Sequence, residues 1–157
     1  MPSANMHSNA RSLAKLGAFM ANKGTFAGQQ LITEEAWDQL HGDEKLGSLG
    51  GLGVENTTSI SRGGLFNFSK SVSDGKFVFD RECFKYRDGW WGWIGYSGSV
   101  FQWNPELKIS FAYVPANPLL IDAGANRAGI IQGIIVSILK GEKTDFKDCS
   151  GAVCNIF

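Results

Sequence analysis

Apolar residues in this chain fall into three helical patterns and a set of alternating patterns, separated by a glycine-rich stretch. From Asn9 to Asn22, Ala10, Leu13, Leu16 and Met20 recur at helical spacing, which predicts an amphipathic helix capped by Ser8 or Asn9 and stopped at Gly24. A shorter helix is predicted after Thr33. Leu31 and Ile32 precede that cap, Glu34 and Glu35 suit the positive end of the helix dipole, Gly42 ends the helix, and Trp37 and Leu40 face the core.

Residues 43 to 66, including GSLGGLG from Gly47 to Gly53, are glycine-rich and predict irregular loop. A phosphate-cradling loop would need a preceding strand and a following Lys-Ser/Thr pair, and this stretch has neither, so no ligand is assigned to it. Lys76 to Asp80 (KFVFD) alternates as a short strand. Trp93 to Trp103 predicts a strand that turns at Asn104-Pro105-Glu106. The chain then returns along Leu107 to Val114, with Leu107, Ile109, Phe111 and Tyr113 on one buried face. Asp122 to Lys140 predicts a helix whose stripe of Ile130, Ile131, Ile134, Ile135, Ile138 and Leu139 lies across that hairpin. Gly141 to Phe157 is polar and without periodicity, a loose tail after a domain spanning 1–140. There are no repeats of solenoid length.

The chain's 157 residues fit one domain, and 43% hydrophobic with 19% charged residues permits a substantial core. Fifteen basic and fifteen acidic residues cancel without a basic run, which argues against nucleic acid as a partner. The N-terminus carries no apolar stretch behind a charged start, and Ala128 to Leu139 is too short for a membrane span of about 20 residues. No membrane partner is expected, and a cytoplasmic location is the default. Cys83, Cys149 and Cys154 are odd in number, which favours a reducing compartment, although a Cys149–Cys154 disulfide is open to the sequence. His7 and His41 form no ligand spacing with the cysteines, so neither a metal nor a cofactor is expected.

Four of the five tryptophans, Trp90, Trp91, Trp93 and Trp103, crowd the segment from Gly89 to Trp103. Three readings stand open: a surface that recognises a peptide or partner chain, one wall of a catalytic site, or aromatic filling of a core.

Three segments carry a family resemblance: PSANMHSNARSLAKLGAFMANKG with its A-R-x-L-A-K-L helix, Leu31 to Leu40, and WGWIGYSGSVFQWNPELKISFAYVPAN. With the final Ile-rich helix, they make Pro2 to Lys140 resemble the C-terminal portion of the serine β-lactamase-like family, which includes class C β-lactamases, D-amino-acid carboxypeptidases and related esterases. The resemblance implies an α+β fold, a partial domain with an antiparallel sheet and flanking helices. It also implies acyl-serine hydrolysis of a small amide, ester or peptide wherever the full domain exists. In that family an S-x-x-K supplies nucleophile and base, a Tyr-x-Asn or Ser-x-Asn loop assists, and a Lys-Thr-Gly, His-x-Gly or Trp-x-Gly strand borders the pocket.

Trp93-Ile94-Gly95 matches the Trp-x-Gly form. The resemblance therefore places Trp93, Gly95, Tyr96 and Ser97 at the substrate and makes the backbone N–H of Tyr96 an oxyanion donor. The lysine of Lys-Thr-Gly is missing, which puts recognition of a β-lactam carboxylate in doubt. Ser12–Lys15, Ser73–Lys76 and Ser137–Lys140 have S-x-x-K spacing, but fourteen serines and ten lysines supply about one such match by composition. None sits at the start of a helix as the chemistry requires, no Tyr-x-Asn occurs, and Ser3-Ala4-Asn5 falls on the approach to the first helix. The expectation is a fragment of such a hydrolase, inactive alone because its S-x-x-K and Tyr-x-Asn regions lie upstream of Pro2, with self-association through an uncovered sheet face. A non-catalytic binding module built on the tryptophan hairpin is the alternative.

Overall fold

The computed structural model describes residues 7–47, 58–68, 86, 88–95, 98–116 and 126–143. Among the described residues there are three helices and eight strands: α1 Ala10–Ala21, β1 Thr25–Phe26, β2 Gln29–Gln30, α2 Glu34–His41, β3 Lys45–Gly47, β4 Thr58–Ile60, β5 Phe66–Asn67, β6 Trp91–Ile94, β7 Val100–Asn104, β8 Ile109–Tyr113 and α3 Asn126–Lys140. The strands β3 to β8 form one antiparallel sheet in sequence order, while β1 and β2 make a separate small hairpin. This is the expected mixture of helices with antiparallel sheet. The strand expected over Lys76 to Asp80 and most of the tail lie outside the described residues.

The helix caps form as their chemistry dictates. The Asn9 side chain accepts the Ser12 N–H, and the Thr33 hydroxyl accepts the Ala36 N–H, so each satisfies one orphan donor of a first turn. The inward faces differ from expectation. In α1 the buried residues are Gly17, Met20 and Ala21, while Leu16 is exposed. In α2, Trp37 is buried as expected, but Leu40 is exposed and His41 takes its place one turn from Trp37.

The stretch from 43 to 66, expected to be irregular, contains β3 and β4 and leads into β5. These strands are two or three residues long, too short for alternation to register. The single strand expected from Trp93 to Trp103 is instead two strands: β6 folds back onto β7, pairing Trp91 with Trp103 and Ile94 with Val100. Asn104-Pro105-Glu106 does turn the chain from β7 into β8, with Asn104 opposite Ile109. Asn104 fixes that turn by accepting the Leu107 N–H at 2.9 Å and donating to the Asp88 carbonyl at 3.0 Å.

Helices cover β7 and β8 from both sides. On one face, α1 lies so close that a Cβ on Gly17 would meet the Ser110 Cβ at 2.8 Å, and the Ser110 hydroxyl donates to the Ala14 carbonyl at 2.7 Å. Met20, Ala21, Trp37 and Trp103 form the core there. On the opposite face α3 packs through Ala128 against Val100 and through Val136 against Phe66, Phe68, Tyr86 and Trp90. Ile109 and Phe111 join that core, as the hairpin pattern predicts.

The rotation of α3 reverses the expected one. Ala128, Gln132, Val136 and Ser137 are buried, whereas Ile131, Ile134, Ile135, Ile138 and Leu139 are exposed. Gln102, at 0% exposure in the middle of β7, meets this buried side, its Oε1 accepting a 2.8 Å hydrogen bond from Nε2 of the buried Gln132. The uncovered apolar surface expected on a sheet face therefore lies on the outside of α3.

Candidate functional site

The strand β6 is laddered to β7 along its whole length, but its other side is only half paired. Its partners on β5 are Asn67 for Trp91 and Phe66 for Gly92. Beyond Gly92 the ladder to β5 stops. Gly64, where the chain would have to continue it, has φ of 76° and donates its N–H to the Ser61 carbonyl at 2.9 Å inside a turn. Among the described residues, Ile94 thus has an open backbone edge on the β5 side, while the backbone of Trp93 faces β7.

Gly92 itself has φ of 130°, and a Cβ there would meet the Phe101 carbonyl oxygen at 2.2 Å. Only glycine fits this kink, which lets β6 leave β5 while staying on β7. Trp93 stands at this edge, 49% exposed, its ring stacked on Phe66 with centroids 4.4 Å apart and planes 17° from parallel. The other tryptophans of the hairpin point inward: Trp90 and Trp103 are buried and Trp91 is half-buried.

Gly95 donates its N–H to the Ser99 carbonyl at 2.7 Å, and a Cβ on it would meet the Ser99 hydroxyl. Closing the β6–β7 turn is therefore a sufficient reason for glycine at 95, where close approach of a substrate was the expected reason. Tyr96 and Ser97 lie outside the described residues, as do Ser3-Ala4-Asn5, Ser73–Lys76 and all three cysteines.

The two described S-x-x-K pairs do not make an activated nucleophile. Contrary to expectation, Ser12 lies at the start of its helix, in the first turn of α1, with its backbone N–H held by Asn9, but both Ser12 and Lys15 are exposed on the helix surface. Ser137 is buried and donates its hydroxyl to the Ile134 carbonyl at 2.8 Å, so that proton is committed to the helix.

His41 was not among the expected site residues, yet it sits in a specific polar arrangement. Its ring stacks on Trp37 at 3.6 Å and meets Trp91 and Trp103 edge-on at 4.8 and 5.9 Å. Nδ1 donates to the Trp37 carbonyl at 2.7 Å, and Nε2 accepts the Trp103 indole N–H at 3.1 Å. A carbonyl can only accept and an indole can only donate, so the ring is neutral with its proton on Nδ1. Burial lowers its pKa below the ordinary value, against the opposing pull of the Trp37 carbonyl, Asp38 and Glu44. With both nitrogens engaged, His41 has no lone pair or proton to offer a substrate. The i, i+4 relation of Trp37 and His41 in α2 was the only signal for it in the sequence.

The chain matches no protein-family model, no curated protein and no solved structure. Among the described residues no group of three metal-ligating side chains comes together, and no helix is long and apolar enough to cross a membrane.

Proposed function

We propose that this chain supplies the strand wall of an acyl-hydrolase pocket of the serine β-lactamase-like type. A small ester or amide lies along the open edge of β6. The observation that carries the reading is the half-paired strand: β6 is paired to β7 along its length, yet its outer edge at Ile94, beside the Trp93 ring, is left without a ladder partner on β5 among the described residues. An open edge beside an aromatic platform can bind an extended acyl group through backbone hydrogen bonds and ring contact. Trp93, backed by Phe66, is that platform.

Binding is separate from turnover. Neither Ser12 nor Ser137 stands beside a base in a competent setting, so the nucleophile and base of such a pocket would be provided by other polypeptide. Trp93 in place of a lysine favours an uncharged ester over a carboxylate-bearing β-lactam. A purely recognitional role for the hairpin is left with Trp93 alone, because Trp90 and Trp103 are buried.

Hydrolysis of chromogenic β-lactams and short-chain nitrophenyl esters by the purified protein tests the reading. The expected rate equals the protein-free blank. Saturable turnover that vanishes in Ser12→Ala would show that this chain holds its own nucleophile.

A further inference from the structure

We propose that His41 is an acid-released latch: a proton taken at Nε2 frees α2 from the sheet and uncovers Trp91 and Trp103, while the rest of the fold stays closed. Of the eight residues of α2, only Trp37 and His41 are buried, and the other six are exposed. Two side chains therefore hold the helix down. Trp37 donates its indole N–H to the Met20 carbonyl at 2.9 Å, and His41 accepts the Trp103 indole N–H at 3.1 Å. Two backbone bonds, from the N–H groups of Gly63 and Arg62 to the carbonyls of Leu40 and Gly42, run to exposed residues, where water replaces them readily. The other helices rest on contacts in which His41 has no part, α1 through Gly17 on Ser110 and α3 through Val136 on Phe66, Phe68 and Trp90.

The bonding leaves one place for a second ring proton. Nδ1 already carries the proton given to the Trp37 carbonyl, so a further one goes to Nε2, the atom that accepts from Trp103. Two donors then face each other, and the bond from β7 is lost. The charges around the ring do not reverse this preference. Asp38 on α2 and Glu44 beyond it draw the proton, and Glu44 is itself held by the Ser59 hydroxyl and the Asn67 amide of β4 and β5. Asp43 pairs with Arg62 at 3.7 Å, the Lys23 ammonium stands 5.8 Å from the Trp37 ring, and β6 and β7 bring only the uncharged Trp91 and Trp103 to the ring. Burial still outweighs the two carboxylates and the Trp37 carbonyl, so the closed ring holds its proton less tightly than a solvated histidine. A proton that binds the open state better drives opening.

Native-state hydrogen exchange followed by NMR from pH 7 to pH 5 tests the latch. Eight residues make no stable helix alone, so α2 gives up its amide protection when released. The Leu40 and His41 amides and the Trp103 indole N–H should share one protection factor, at least about tenfold below that of the β7 and β8 amides, which open only with the whole fold. That shared factor should fall as pH drops below about 6.5, by up to about tenfold per pH unit. In His41→Phe the trend should vanish. His41→Gln, which keeps an acceptor for Trp103 but does not titrate, should show none either and reads the same point if the phenylalanine variant is too unstable. Equal protection of α2 and β7, a factor indifferent to pH, or the same trend in either variant overturns the proposal.

Discussion

The indole N–H of Trp103, on β7, donates to Nε2 of His41, at the end of α2, across 62 residues of sequence. This bond ties the second helix to the centre of the sheet and closes a cluster of Trp37, His41, Trp91 and Trp103. His41→Phe keeps the ring but leaves the buried Trp103 N–H without an acceptor. It should cost about 1–3 kcal/mol in denaturant unfolding. Loss of near-ultraviolet dichroism at the tryptophan bands without loss of helix would place the damage in this cluster.

The same histidine makes stability depend on pH. Its folded pKa is lowered by burial, so below the unfolded value of about 6.5 the unfolded chain takes up a proton that the folded ring refuses. Asp38 and Glu44 oppose this shift, and the ammonium of Lys23 lies 5.8 Å from the Trp37 ring on which His41 stacks. This contribution is fully present above about pH 6.5 and declines as pH falls through the folded value. Unfolding curves for the protein and His41→Phe should converge as pH is lowered from 7 to 5. A constant gap between them would mean that His41 does not titrate differently in the two states.

Gly17 sets how closely α1 can approach β8. Gly17→Ala improves helix propensity by about 1 kcal/mol, but its methyl would stand 2.8 Å from the Ser110 Cβ and force an overpacking cost of about 1–3 kcal/mol. Net destabilisation is expected. Ser110→Gly, which removes the opposing Cβ, should cost less in the Gly17→Ala background than alone. A double-mutant cycle by urea unfolding reads that coupling.

The buried Gln102–Gln132 pair should show the asymmetry of internal hydrogen bonds. Either Gln102→Leu or Gln132→Leu strands the other amide and should cost about 1–3 kcal/mol, whereas replacing both should be close to neutral. If the double variant is as unstable as the sum of the singles, the two amides are not energetically coupled.

The helices were legible because caps and stops act locally: Asn9, Thr33 and Gly42 mark ends that the structure places within a residue. The turn at Asn104 was legible for the same reason. Rotation about a helix axis was not, because it answers to distant partners. Gln102 meets Gln132 on the inner side of α3, Trp103 draws in His41 ahead of Leu40, and Ser110 requires Gly17 where Leu16 was expected. The break between β6 and β7 falls at Gly95-Tyr96-Ser97-Gly98-Ser99, whose turn signal was outweighed by the apolar residues on either side. Trp93 and Gly95 were picked out as a site from the sequence, whereas Phe66 was absorbed into the end of a stretch that looked like loop.

The most direct measurement of the proposed role is an amide and indole NMR titration of the protein with a short-chain aryl ester, recording ester hydrolysis in the same sample. The account predicts saturable shifts centred on Trp93, Ile94 and the Ser61–Gly64 turn, with hydrolysis at the rate of the blank. Shifts spread elsewhere or absent from β6 would contradict it, as would turnover abolished by Ser12→Ala.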